Sequence, residues 1–146
     1  MTLETKQCKK EQNVNIKTMK VTLYLNPVCA GFPSPASDYL EGEIDLNRYL
    51  IKNPLATFIV KSQGNSMLQA GIHSNDLLIV DRSIKPKNNS IVIASIDGEL
   101  IVKRIKISGK QFLLTSDNKE YGNIKINNES AVFLWGIVTK VIHNVY

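Results

Sequence analysis

From residue 56 to residue 143 the chain alternates between short apolar runs and clusters of turn-forming residues. The runs are ATFIVKS (56–62), DLLIVD (76–81), SIVIASI (90–96), ELIVKRIKI (99–107), QFLLTS (111–116) and AVFLWGIVTKVIH (131–143). They are rich in β-branched and aromatic residues, which pack well on a pleated surface, so a mostly-β domain is predicted. Between the third and fourth runs stands Asp97-Gly98. A type I′ turn needs positive φ at both central positions, so this pair predicts a tight hairpin. Ahead of the strands, IDLNRYLIKNP (44–54) follows a different period. Asp45 stands at an N-cap position, Leu46, Tyr49 and Leu50 share a face, and Pro54 closes the segment, which predicts one short helix. Earlier still, VTLYL (21–25) predicts an edge strand.

The segment between that edge strand and the helix is punctuated. NPVCAGFPSPASDY (26–39) holds three prolines and a glycine in fourteen residues. Proline fixes its own φ and drives the preceding residue toward extended geometry. An extended linker is predicted here, crossed by no helix. The first twenty residues are polar and lysine-rich without a sustained period, which predicts an extended or mobile arm.

Bulk properties narrow the picture. At 146 residues, 43% of them hydrophobic, the chain suits one domain with a genuine core. The longest apolar run, AVFLWGIV, is broken only by Gly136 and is far too short to span a membrane. MTLETKQCKKEQ lacks the apolar centre of a signal peptide, so a cytoplasmic protein is expected. Cys8 and Cys29 are too few and too isolated for a disulfide framework or a zinc site, and read as reduced thiols. The net charge of +5 is concentrated at the start, where five lysines face two glutamates in residues 1–30. That density reads as a solvated arm more readily than as a nucleic-acid-binding one.

Candidate chemistry begins with ELIVKRIKI. At a period of two, Ile101, Lys103, Ile105 and Ile107 share one face, and Leu100, Val102, Arg104 and Lys106 the other. Lys103 is the one charged side chain on an isoleucine face. Burial there lowers a lysine pKa by as much as about 3–5 pH units, and a neutral amine is a usable base for a serine. The alternative is that Lys103 snorkels and keeps its ammonium in water. Ser66, in SQGNSMLQAGI, has two readings as well: an N-cap for a short helix ending at Gly71, or a nucleophile. Elsewhere, His73 and His143 read as surface or edge residues, and Asp76, Asp81 and Asp97 as turn and strand-end residues without a metal site. Trp135 and its neighbours read as core or dimer interface. No cofactor and no metal are expected.

These residues carry a resemblance. AGFPSPASDYLEGEIDLNRYLIKNP, GNSM followed by GI, DLLIVD and GELIVKR occur in that order and together resemble the LexA/UmuD family of self-cleaving serine peptidases. The resemblance runs from about Val28 to Val141. It implies a mostly-β domain of curved antiparallel strands with short helices, preceded by an extended arm. It implies that Ser66 is the nucleophile and Lys103 the general base. Because Ser66 stands where a loop becomes a short helix, the backbone amides of Asn65 and Ser66 are expected as the oxyanion hole. Gly64 would let that loop approach closely. The scissile bond would be Ala30-Gly31, dividing an arm (1–30) from a peptidase-like domain (31–146). UmuD proteins carry cysteine before that glycine and LexA repressors the Ala-Gly pair seen here, so Cys29 has no catalytic part. The family further implies a homodimer, cleavage promoted by the RecA–single-stranded DNA filament of the SOS response, and partnership with a UmuC-type Y-family polymerase in translesion synthesis. Residues 1–24 depart from the family arm in being rich in lysine and asparagine. No helix-turn-helix precedes the linker, so a repressor is not expected. Two rivals remain at this level: a Ser/Lys protease acting on other proteins, and a polymerase- or nucleic-acid-binding module with a non-functional dyad.

Overall fold

The computed structural model describes residues 19–25, 27–31, 41–125 and 131–146, and of Lys125 the backbone alone. The chain divides into two compact units, Met1–Leu46 and Asn47–Tyr146. In the first, β1 (Lys20–Tyr24) and β2 (Glu41–Asp45) form an antiparallel pair with Val21 opposite Ile44. The edge strand predicted at 21–25 is therefore present, and Lys20 Nζ meets Glu43 Oε2 at 2.8 Å across it. Residues 27–31 belong to neither helix nor strand, as their proline and glycine content predicts. The remainder of the linker, at 26 and 32–40, and the arm up to residue 18 lie outside the described residues.

The predicted helix is a single turn and a little more, α1 (Leu46–Leu50), beginning directly after Asp45. Seven strands follow: β3 (Thr57–Lys61), β4 (Leu77–Asp81), β5 (Ile91–Ile96), β6 (Glu99–Ser108), β7 (Gln111–Thr115), β8 (Ile124–Lys125) and β9 (Val132–Ile142). They make one sheet in the order β3-β4-β9-β5-β6-β7-β8, antiparallel throughout. All six predicted runs are strands of it. The Asp97-Gly98 hairpin is also present, with φ of 50° and 89° at the two turn residues.

The last strand holds the sheet together. β9 lies between β4 and β5, and its register slips once against each, at Ile79/Val80 and at Ile93/Ala94. A bulge of this kind bends the strand and increases its twist, so β9 curves enough to serve both neighbours. β5 is buried along its middle because it has apolar contacts on both faces. On one side Ile93 packs with Met67, Ile72, Leu78 and Val80. On the other, Val92 and Ala94 pack with Ile105, Leu114 and Ile137. The fold is thus the curved, mostly-β domain expected.

Candidate active site

Strand β6 keeps the predicted alternation: Lys103 and Ile105 are buried, while Leu100 and Lys106 are exposed. Lys103 is only 8% exposed, so its stem does not snorkel to solvent. Its Nζ donates to Ser116 Oγ at 2.7 Å, and that oxygen lies 3.3 Å from the Gly122 carbonyl, to which its proton is directed. The Tyr121 ring lies 5.8 Å from the same nitrogen. Desolvation depresses the Lys103 pKa below the usual lysine value.

Ser66 is positioned by its neighbours. Met67 and Ile72 are both buried in the core cluster beside β5, one on each side of a 3-10 turn over Leu68–Ala70. These two apolar anchors fix the turn, and Ser66, immediately before Met67, is left half-buried at its start. The turn ends at Gly71 with φ of 78°, as the sequence predicts. Ser66 does not cap it: Met67 occupies the N-cap position, no side chain bonds there, and Asn65 O accepts from Leu68 N at 3.2 Å. The N-cap reading of Ser66 is therefore set aside. Gly64 has φ of 83°, and nothing lies within 4 Å of where its Cβ would be. Its role is the left-handed backbone, not the close approach expected of it. Among the described residues, neither the Asn65 nor the Ser66 N–H has a backbone acceptor.

A short turn after β7 contacts both elements, and sequence reasoning gave it no role. Asp117 O accepts from Gln69 N at 2.9 Å, Asn118 Nδ2 donates to Asn65 O at 2.9 Å, and Asp117 N approaches Met67 Sδ at 3.4 Å. Arg104 grips the Asp117 carboxylate through Nε, at 3.0 and 2.8 Å, and through Nη2. The Asp117 hydrogen bond raises the Arg104 pKa above its ordinary value. Lys103 and Arg104 face opposite sides of β6, yet both end on Ser116–Asp117. The available signal was the polar triplet Ser-Asp-Asn closing an apolar run, which marks a turn and nothing more.

Ser66 and Lys103 both line one cleft of about 270 Å³, together with Ser62, Leu78, Ile93 and Val102. Its walls are mainly apolar, its floor comes from the sheet, and it carries a hydroxyl and a desolvated amine. Such a pair is suited to nucleophilic chemistry without a metal or cofactor. Of the other expected site residues, Ala30 and Gly31 are exposed and lie in the first unit.

The family profile of Peptidase S24-like proteins matches residues 22–139. The chain belongs to the Peptidase S24-like family. Within it, the chain is 47% identical over 122 residues to protein ImpA of Salmonella typhimurium, covering 83% of this chain and 82% of that one. It is 40% identical over 120 residues to protein MucA of Escherichia coli, covering 82% of each. It is 35% identical over 121 residues to the LexA repressor of Idiomarina loihiensis, of which it covers 58%. This S24 protein is of the LexA/UmuD kind, an autocatalytic serine peptidase associated with SOS mutagenesis. No helix among its described residues is long and apolar enough to cross a membrane.

A second constellation lies outside the cleft: His73 and His143 are partly exposed, as expected of surface or edge residues, and the fold brings them together. Their rings stack at 4.3 Å between centroids, 29° from parallel. Asp76, expected as a turn residue, is 3% exposed and faces both. Burial alone would raise its carboxyl pKa, but hydrogen bonds from the His73 N–H and from His143 outweigh it and hold the group below the usual carboxylate range.

Proposed function

We propose that Ser66 and Lys103 are the catalytic pair of this S24 peptidase, and that their first substrate is the Ala30–Gly31 bond of the chain itself. The observation that carries this reading is the shared cleft: a half-buried serine hydroxyl and a desolvated lysine amine line the same apolar pocket. Neutral Lys103 takes the Ser66 Oγ proton as Oγ attacks the Ala30 carbonyl carbon. The N–H groups of Asn65 and Ser66 hold the oxyanion. Lys103 then returns the proton to the leaving Gly31 nitrogen, and an acyl-enzyme remains at Ala30 until water hydrolyses it. Residues 1–30 depart, and the domain from Gly31 to Tyr146 remains.

In this reading the RecA–single-stranded DNA filament promotes cleavage, and the shortened homodimer serves a Y-family polymerase in translesion synthesis. The exposed apolar side chains of Phe133, Leu134 and Trp135 on β9 support a surface made for a protein partner. Mass spectrometry of the purified chain, incubated at mildly alkaline pH and separately with RecA filaments, tests the proposal. A fragment beginning at Gly31 is expected, and none from Ser66→Ala. A wild-type chain that stays intact under both conditions while folded would refute it.

Ser116 gives a finer test. Its hydroxyl accepts from Lys103 and so favours the ammonium form while orienting the amine. Ser116→Ala is expected to slow cleavage about tenfold, less than the roughly 10²–10⁴ that loss of the base itself would cost. It should also move the pH–rate profile to lower pH, because the charged lysine loses a partner. A slower reaction with an unmoved profile would make Ser116 merely structural.

A further inference from the structure

We propose that His73, Asp76 and His143 form a binding site for a divalent transition-metal ion of the zinc class, separate from the cleft. One nitrogen or oxygen from each residue lies within 4.8 Å of the others. His143 Nδ1 is 2.6 Å from Asp76 Oδ1, and His73 Nδ1 is 3.7 Å from Asp76 Oδ2. Both imidazoles therefore turn the same nitrogen toward one carboxylate.

The second observation concerns His73. Its Nδ1 is shielded from solvent and has no hydrogen-bond partner, and 3.7 Å is too long for a hydrogen bond to Asp76. Buried polar atoms are rarely left this way, since each costs its full desolvation. A hydrogen bond between His143 and Asp76 does not relieve it; an ion held between the two imidazoles and the carboxylate does. Zinc takes imidazole nitrogen and carboxylate oxygen at about 2.0–2.2 Å, so its donor atoms sit roughly 3.3 Å apart in a tetrahedron. The present separations bracket that value; the stacked rings must turn to aim both Nδ1 lone pairs at one ion, leaving the fourth position for water.

Supporting contacts are already in place. The Asp76 Oδ2 acceptor is held by the His73 N–H at 2.7 Å, and Asp76 O accepts from Ser62 N at 2.9 Å. Secondary bonds of this kind orient ligands and tune their basicity. The histidine side chains are 45% and 40% exposed, so an ion has a way in. On binding, the proton between Asp76 Oδ1 and His143 Nδ1 gives way to the ion, and the imidazole carries its N–H on Nε2 instead. Imidazole with carboxylate suits zinc, nickel or copper and not magnesium or calcium.

Such an ion would tie the loop 73–76 to the end of β9. That loop is docked on Ser62, whose hydroxyl donates to His73 O at 2.5 Å, and through Ser74 Oγ it accepts from Gly64 N at 3.2 Å. It thus braces the backbone that leads into Ser66.

The test uses the full, untagged chain carrying Cys8→Ser and Cys29→Ser, which removes both thiols as rival ligands. The metal-free protein is titrated calorimetrically with Zn²⁺, with thermal melts in parallel and Mg²⁺ as the control. One Zn²⁺ per chain is expected, with a rise of several degrees in Tm and no response to Mg²⁺. His73→Gln and His143→Gln, each shown to be folded by circular dichroism, should each weaken Zn²⁺ binding at least tenfold. Failure of the parent chain to bind Zn²⁺, undiminished binding by either variant, or an equal response to Mg²⁺ would overturn the site.

Discussion

Replacing Lys103 with methionine is expected to end self-cleavage and, at neutral pH, to raise the Tm of the protein. Methionine keeps the length and slenderness of the lysine stem and suits the apolar surroundings of Ile101 and Ile105. Loss of a general base costs roughly 10²–10⁴ in rate. The stability gain follows from the depressed Lys103 pKa, caused by desolvation. Between that folded value and the ordinary 10.5, the unfolded chain holds the proton more often than the folded one. Wild-type stability therefore rises with pH through that window and lies on its lower plateau beneath it. Methionine removes this penalty and, with it, that pH dependence. Ser66→Ala, which leaves Lys103 in place, should lose activity without the gain. The wild-type rate should climb with pH and level off above the folded pKa. Cleavage by Lys103→Met at the wild-type rate, or a wild-type rate flat from pH 6 to pH 10, would refute Lys103 as the base.

Gly136→Ala is expected to destabilise the domain by about 1–3 kcal/mol, and Gly136→Val by more. A Cβ at this position would stand 2.8 Å from Val80 Cγ1 and 2.9 Å from Asp81 O. Val80 is fully buried in the core, and the carbonyl is held because Asp81 is paired with Ile137 in the β4–β9 ladder. Relief would have to come from separating β4 and β9 at the point where β9 passes from pairing with β5 to pairing with β4. The expected loss for alanine is roughly 3–10 °C in Tm, measured by thermal melts followed by circular dichroism. A change within 1 °C would mean that the backbones do not approach as described.

The strands of the larger sheet are legible because each is a β-branched run bounded by turn residues, and the Asp97-Gly98 hairpin because its chemistry is local. β2 is not legible: EGEID has no apolar run, and only its pairing with β1 makes it a strand. β8 is two residues long, below any periodic signal. The same distinction runs through the cleft. Lys103 could be picked out from alternation along one strand. Ser116 could not, since a hydroxyl at the end of an apolar run resembles any other turn residue until the fold brings an amine to it. The histidine cluster was least legible of all: Asp76 and His143 are 67 residues apart, and only the placement of β9 beside β4 makes them neighbours.

That placement also sets an order of events during synthesis. Val60 and Leu78, with the turn bearing Ser66, belong to one side of β9; Ile93 and Lys103 belong to the other. Ser66 and Lys103 are both translated before residues 132–142, the strand that joins their two sides of the sheet. A nascent chain therefore holds every group of the cleft but lacks the wedge that assembles it. β9 thus acts as a built-in delay, keeping the two sides of the cleft apart until residues 132–142 are available to join them.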